Sequence, residues 1–143
     1  MQNRDTGFTL EEGHPNEANG GKRPMHTIIP AMLKQDGRVI MPFGVMGGQY
    51  QSTGHARMVT NMVDYGLGPQ EMIDAPRCFS EYGDMKIEKG YSDTVRQELA
   101  DMGHAVSTPD VGIGGAQAIR IHHDTGSLEG GSDPRKDGIA LGY

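Results

Sequence analysis

Gly21-Lys22-Arg23-Pro24-Met25-His26-Thr27-Ile28-Ile29-Pro30-Ala31-Met32 is the stretch on which the reading of this chain turns. Its second half, continued to Lys34, reads as a strand over 27–34, although Pro30 suits only an edge or irregular position because it has no N–H for a ladder. Gln35-Asp36-Gly37-Arg38 follows, and Asp-Gly supplies the positive φ angles of a tight hairpin loop. Arg38 to Phe43 is then the return strand. Gly44-Val45-Met46-Gly47-Gly48-Gln49 bends the chain into a helix expected over about 51–65, with Met58, Val59, Met62 and Val63 on one face. Gly66 is its expected stop.

Further along, Pro69 opens a short helix that ends near Ala75, before Pro76. A short strand is expected at 84–88. Ser92 reads as the N-cap of a third helix with Val95, Leu99 and Met102 at helical spacing and Gly103 as terminator. Short strands follow at 106–109, 116–122 and, after the Asp124-Thr125-Gly126 turn, 127–130. Residues 1–24 read as a loop-rich lead-in, and the tail reads as polar and irregular. The fold class is α+β, in one domain over residues 1–143 with no repeat or linker.

Composition narrows the function. The chain has 143 residues, of which 35% are hydrophobic, with ten Met, no Trp, three Phe and five Tyr. Met fills a core adaptably but specifies it weakly. Glycine, at 22 residues, is about twice its usual share of roughly 7%. This reads as a partial domain that expects partner surface. The net charge of −6, with no basic run, argues against nucleic-acid binding. No apolar stretch approaches the roughly 20 residues of a membrane span. Met1-Gln2-Asn3-Arg4-Asp5 is not a signal peptide, and cytoplasmic and periplasmic locations both remain open. The single Cys78 cannot form an internal disulfide and reads as a half-buried small hydrophobe. Six histidines show no ligand spacing, so no metal or cofactor is expected. Gly112-Ile113-Gly114-Gly115 lacks the Lys-Ser/Thr pair of a phosphate loop.

Two adjacent glycines, Gly47 and Gly48, between a strand and a helix can aim backbone N–H groups into a cleft, as an oxyanion hole requires. On local sequence alone a plain turn is the simpler reading.

In order and spacing, the Gly21–Met32 stretch, Gly44–Gln49 and Gly131-Ser132-Asp133-Pro134-Arg135 resemble the C-terminal part of γ-glutamyltranspeptidase-like proteins. Gly142-Tyr143 keeps the register. The resemblance implies an N-terminal-nucleophile hydrolase with an αββα fold, matured by self-cleavage before a threonine. That threonine attacks an amide carbonyl with its own α-amino group as base. The resemblance makes Gly47-Gly48 the oxyanion hole. It places His26-Thr27 where a Ser-Ser pair commonly binds the substrate α-carboxylate. A structural loop histidine is the alternative at His26.

The same resemblance aligns Asn3-Arg4-Asp5-Thr6-Gly7-Phe8 with a block that holds the substrate α-ammonium. Arg4 and Gly7 stand at its two binding positions, and Arg4 would repel an ammonium and attract a carboxylate. An acidic acyl group without the amino group is therefore expected. Asp133-Pro134-Arg135 reads as a turn ion pair, or alternatively a buried brace. Ala75-Pro76-Arg77 and Gly114-Gly115-Ala116-Gln117 read as packing and turn geometry.

The nucleophile-bearing strands are expected a few dozen residues before Met1. The fold is thus expected as a partial αββα layer, and the isolated chain as inactive. The partners expected are a γ-glutamyl or other acyl-amide small molecule in the intact parent, and a large subunit or self-association. The other reading is a noncatalytic binding or subunit-assembly module.

Overall fold

Hydrogen-bonding and hydrophobic patterns combine into two sheets and three helices in a computed structural model that describes residues 3–143. Met1 and Gln2, the first residues of the expected lead-in, lie outside the described residues. β1 (Pro30–Gln35) and β2 (Arg38–Met46) form the expected hairpin around Asp36 and Gly37, with φ of 51° and 78°. β1 starts at Pro30 rather than Thr27. A proline is tolerated there because, among the described residues, β1 is an edge strand of the order β1-β2-β6-β7. β2 runs past Phe43 to Met46, since a second partner takes over where β1 stops. β6 (Gly115–His122) pairs Ala118 with Phe43, Ala116 with Val45 and Gly115 with Met46. β7 (Ser127–Ser132) closes the order β1-β2-β6-β7, two residues longer than expected.

α1 (Tyr50–Val63) and α2 (Pro69–Asp74) cover one face of that sheet. Sheet and helices enclose Met41, Phe43, Val45, Tyr50, Met58, Met72, Ile73, Ile113, Ala116 and Ala118. The expected stripe on α1 holds at three of its four positions. Met58 is buried and Val59 and Met62 pack on the core, whereas Val63 is exposed. The buried line runs instead through Tyr50, Gly54, Met58 and Asn61. Asn61 is tolerated there because its amide donates to the Met72 carbonyl at 3.2 Å. Gly66, at φ 68°, ends the helix as expected.

A smaller sheet contains β3 (Cys78–Glu81), β4 (Asp84–Ile87) and β5 (Ala105–Ser107), with β5 parallel to β4. β3 is absent from the sequence reading: four residues with one aromatic give no alternation to detect, and its register comes from Tyr82-Gly83, both at positive φ. α3 (Asp93–Asp101) is capped by Ser92, whose hydroxyl accepts the Val95 N–H at 3.3 Å. Its expected apolar face is only half-buried, and Met102 points to solvent. The lead-in includes one 3-10 turn, Arg4–Gly7. Among the described residues, no helix is long and apolar enough to cross a membrane.

Among the described residues the opposite face of the larger sheet is covered only in part, by the tail at Lys136, Gly138 and Ala140 over Gly115, Gln117 and Gly130. Strand alternation places Met32, Met46, Ile119, Ile121 and Leu128 there. Met32, Leu128, Met46 and Ile119 are 69%, 68%, 57% and 45% exposed.

Tight packing at Gly54 yields a stability prediction. A Cβ there would lie 2.5 Å from Val45 Cγ1 and 2.8 Å from Tyr50 Cε1. Helix propensity favours Gly54→Ala by about 1 kcal/mol, but overpacking costs about 1–3 kcal/mol. The variant should therefore be less stable in urea unfolding; a higher midpoint would mean that the helix can shift away from β2 without penalty.

Candidate functional site

The glycine turn after β2 is shaped for backbone donation. Gly47 has φ 136° and Gly48 φ 58°, both in the left-handed region where side chains are strained. Their carbonyls accept the N–H groups of Tyr50 and Gln51, at 3.1 and 3.2 Å, which starts α1. Among the described residues, neither Gly47 nor Gly48 donates its own N–H to a protein acceptor. Both residues are exposed. Two free N–H groups at the end of a strand can meet a negative oxygen from solvent or substrate.

The turn rests on a buried base. A Cβ on Gly47 would approach Gly114 Cα to 2.8 Å, and one on Gly114 would approach the Met46 carbonyl oxygen to 2.5 Å. Tyr50 lies beneath both glycines, 3% exposed, edge-on to Phe79 at 5.6 Å. Burial raises its phenol pKa, against the opposing pull of Arg77, whose guanidinium is 5.9 Å from the ring centre. Gly114 is therefore held to backbone contact distance, a role that its place in an unremarkable glycine cluster did not reveal.

Beside the turn is a cleft of about 430 Å³ lined by Arg4, Arg23, Pro24, Met25, His26 and Ile28. Arg4 and Thr27 are half-buried and His26 is exposed. Arg4 Nη1 donates to Thr27 Oγ1, so the threonine proton remains available to another acceptor. The Thr27 carbonyl accepts from Gln51 Nε2 at 2.8 Å, and the same nitrogen reaches the Gly48 carbonyl at 3.3 Å. Gln51 thus clips the cleft wall to the glycine turn. The sequence pointed to Arg4, His26, Thr27, Gly47 and Gly48, and these fall into two adjoining groups. It missed Gln51 and Arg23. The available signal for Gln51 was its place at the start of the helix, where a long amide can fold back onto the preceding turn. Gly7 is exposed and does not line the cleft.

Asp133 corrects the simpler reading of the C-terminal block as a turn ion pair. Its carboxylate is fully buried. It accepts from Arg77 Nη2 at 2.5 Å, from the Ala116 N–H at 2.7 Å and from the Arg135 N–H at 3.0 Å. Glu88 completes the network, accepting from Arg135 Nε and Nη2 at 2.9 and 2.6 Å. It also accepts the N–H groups of Arg77 and Ile113, at 2.9 and 2.8 Å. Burial alone would raise both carboxyl pKa values. For Glu88 the bonds from Arg135, Ile113 and Arg77 outweigh it; for Asp133 those from Arg135, Arg77 and Ala116 do, so both lie below their ordinary values. Arg77 also donates to the Ile113 carbonyl at 2.8 Å. The two acids therefore fix both ends of the segment containing Gly114. Cys78 is half-buried, as expected, with the Tyr91 hydroxyl 3.8 Å from its sulfur.

Comparison with known proteins gives a consistent picture. The family model described as Gamma-glutamyltranspeptidase matches residues 1–143. The chain is 37% identical to the Glutathione hydrolase-like YwrD proenzyme of Bacillus subtilis, over 99% of this chain and 29% of that protein. It is 36% identical to the Oxamate amidohydrolase proenzyme of Klebsiella pneumoniae, over 99% of this chain and 28% of that protein. The cephalosporin acylase of Bacillus halodurans superposes with a TM-score of 0.86 at 39% identity, covering 100% of this chain and 28% of that one. The gamma-glutamyltranspeptidase of Pseudomonas nitroreducens complexed with L-DON shares the fold, with a TM-score of 0.83 at 23% identity, over 100% of this chain and 81% of that one. The chain spans under a third of the length of the two curated relatives.

The acid network predicts a pH limit. A carboxyl whose folded pKa is depressed binds fewer protons in the folded state, so its stabilisation is present above the unfolded pKa and lost as pH falls through the folded one. With ordinary values of 4.5 for Glu88 and 3.8 for Asp133, stability should decline below about pH 5. Asp133→Asn should cost about 3–5 kcal/mol at pH 7 by leaving Arg77 without its buried counter-charge, and less at pH 3. Equal losses at the two pH values in urea unfolding would contradict this account.

Proposed function

The chain belongs to the gamma-glutamyltranspeptidase family, and from that premise we propose that it is the C-terminal portion of an acyl-amide hydrolase or transferase. In this reading it contributes the oxyanion turn and part of the acyl pocket. The carrying observation is the pair of free N–H groups at Gly47 and Gly48, joined through Gln51 to the cleft wall at Thr27. The names of two relatives, a glutathione hydrolase-like protein and an oxamate amidohydrolase, both denote amide hydrolysis.

A threonine hydroxyl from another segment attacks the amide carbonyl of a substrate whose acyl part lies against Arg4, His26 and Thr27. The oxygen that becomes negative is received by Gly47 and Gly48, which need no rearrangement to donate. The C–N bond breaks, the amine leaves with the proton taken from the nucleophile, and the acyl group remains on the threonine. Water or an acceptor amine then takes the acyl group and yields a proton. In this reading the nucleophile is supplied from outside these 143 residues, and the 143 residues by themselves are expected not to turn over substrate.

The exposed apolar part of that sheet face supports the matching proposal about the fold. Its exposed Met32, Met46, Ile119 and Leu128 suit a second sheet packed about 10 Å away. That makes the chain one sheet-and-helix half of an αββα sandwich. The remaining layers would come from the rest of the parent chain or from a large subunit. The same surface favours the second reading, a noncatalytic assembly module, if the chain functions alone.

Three outcomes are expected. The purified 143-residue chain should not turn over γ-glutamyl or glutaryl anilides above a Gly47/Gly48-altered control. In a complete protein that carries these residues, Gly47→Ala keeps the N–H but sets a Cβ 2.8 Å from Gly114 Cα, so the displaced turn should lower kcat about 10²-fold, the scale of one lost oxyanion donor. Unchanged kcat would remove Gly47 from the machinery. In sedimentation, the isolated chain should associate with rising concentration, and Met32→Lys with Leu128→Lys should return it to monomer. A strict monomer without those changes would mean that the apolar face needs no cover.

A further inference from the structure

Among the described residues, one side chain bonds to both halves of the candidate site. Gln51, in the first turn of α1, directs Nε2 at the Thr27 carbonyl (2.8 Å) and at the Gly48 carbonyl (3.3 Å). Both partners are acceptors, so the nitrogen side of the amide faces them. The Gly48 carbonyl is held a second time, by the backbone N–H of Gln51 at 3.2 Å. The base of the residue is fixed in turn. His55 Nδ1 donates to the Gln51 carbonyl at 2.7 Å, and the His55 ring packs 5.5 Å from that of Phe43 in β2.

The cleft wall has little else to hold it. Residues 23–29 belong to no strand or helix, and among the described residues no loop hydrogen bond between backbone groups reaches them. The other bond at Thr27 goes to its hydroxyl, from Arg4 of the 3-10 turn. The Gln51 amide therefore ties the backbone of the wall to the helix that follows the glycine turn. An acyl group placed by the wall and an oxygen placed by Gly47 and Gly48 belong to one substrate. A misplacement of about 1 Å between the two costs about 10²-fold in rate.

We propose that Gln51 is a positioning residue for the acyl-amide reaction: by donating to both carbonyls it sets the distance between the acyl wall and the oxyanion donors. The proposal rests on the acyl-amide reading above. Gln51 acts through Thr27 and Gly48, not on the substrate.

Three variants of a complete protein that carries these residues separate donation from packing. Gln51→Glu keeps the shape of the side chain. Ionised, its carboxylate has acceptors only and faces two carbonyl oxygens; protonated, it has one O–H to give to Thr27. The same surroundings raise its pKa above the ordinary value of about 4.3. At about pH 8 kcat should fall at least about tenfold with KM within about threefold of the parent, because the wall keeps its own contacts with the acyl group. Relative to the parent at the same pH, that deficit should shrink at least about threefold by about pH 5.5, as the carboxyl gains its proton. Gln51→Lys is longer and donates only, and should keep kcat within about threefold of the parent. Gln97→Glu makes the same charge change on the exposed face of α3 and should alter neither kcat nor its pH dependence.

Amide NMR on the same protein, with Ile and Gln labelled selectively, reads the clip without turnover. The Thr27 carbonyl shares a peptide unit with the Ile28 N–H, and the Gly48 carbonyl shares one with the Gln49 N–H. In Gln51→Glu these two amide protons should move together in one titration that the parent lacks. A kcat deficit equal at the two pH values overturns the proposal. So does a Gln51→Lys variant as slow as Gln51→Glu, or Ile28 and Gln49 amides that do not titrate together. Any of these results alongside a loss of kcat in Gly47→Ala sinks the Gln51 assignment alone. Unchanged kcat in Gly47→Ala sinks the oxyanion reading on which the assignment rests, so the two fail separately.

Discussion

The buried carboxylate of Asp133 is the constraint on which the rest of this structure depends. It lies just after β7, yet its acceptors hold the start of β6 through the Ala116 N–H and the segment after α2 through Arg77. Burying a charge is costly unless it is paired and hydrogen-bonded. Here the carboxylate is saturated by two guanidiniums and two backbone donors. Removing one partner would expose the full desolvation cost of the other, on the order of 3–5 kcal/mol. Glu88 repeats the arrangement one layer away, through Arg135, Ile113 and the Arg77 backbone. The irregular tail after β7 is thereby anchored by ions, with little apolar surface to hold it.

This network reaches the candidate site through one short segment. Ile113 and Ala116 are fixed by Glu88 and Asp133, and Gly114 between them presses on Gly47 and the end of β2. The low apolar content becomes intelligible in these terms. The chain has few large hydrophobes to position its loops, and two acid–arginine pairs position the most important one. Tyr50 joins the two systems, since its ring packs under the glycines and beside Arg77.

Much of the larger sheet was legible in the sequence because its signals are local. Asp36-Gly37 specifies the hairpin, Gly66 stops α1, and Ser92 caps α3. The α+β class and the glycine turn between β2 and α1 follow from the same kind of pattern. The parts that were not legible depend on distant partners. β2 continues to Met46 because β6 arrives there, more than sixty residues on. β3 exists because β4 pairs with it. Asp133 looked like a turn acid because the three residues around it resemble any polar turn, and its burial is set by Arg77, 56 positions away. Met102 kept its helical spacing but found no surface opposite it, since α3 packs mainly on the short edge strand β5.

The candidate site is built from parts of unequal rigidity, which bears on how chemistry and specificity divide between them. The glycine turn has its geometry imposed from below by Tyr50 and Gly114, and positive φ at two successive residues leaves few alternatives. Donors that must meet a developing charge gain most from such fixation, because reorganisation during reaction is avoided. The cleft is made from the half-buried Arg4 of the lead-in and from residues between Arg23 and Ile28, before β1 begins. Because Pro30 has no N–H to pair and β1 is an edge strand, this segment stays outside the ladder. Its side chains can change without disturbing the core, as loop positions on a rigid scaffold generally can. Gln51 is then the physical link between the two: its base is on the rigid helix, and its amide holds the variable wall at a set distance from the donors. On the proposed reading, a substitution at Arg4 or His26 would alter what the cleft recognises, whereas one at Gly114 or Asp133 would alter the geometry of the glycine turn.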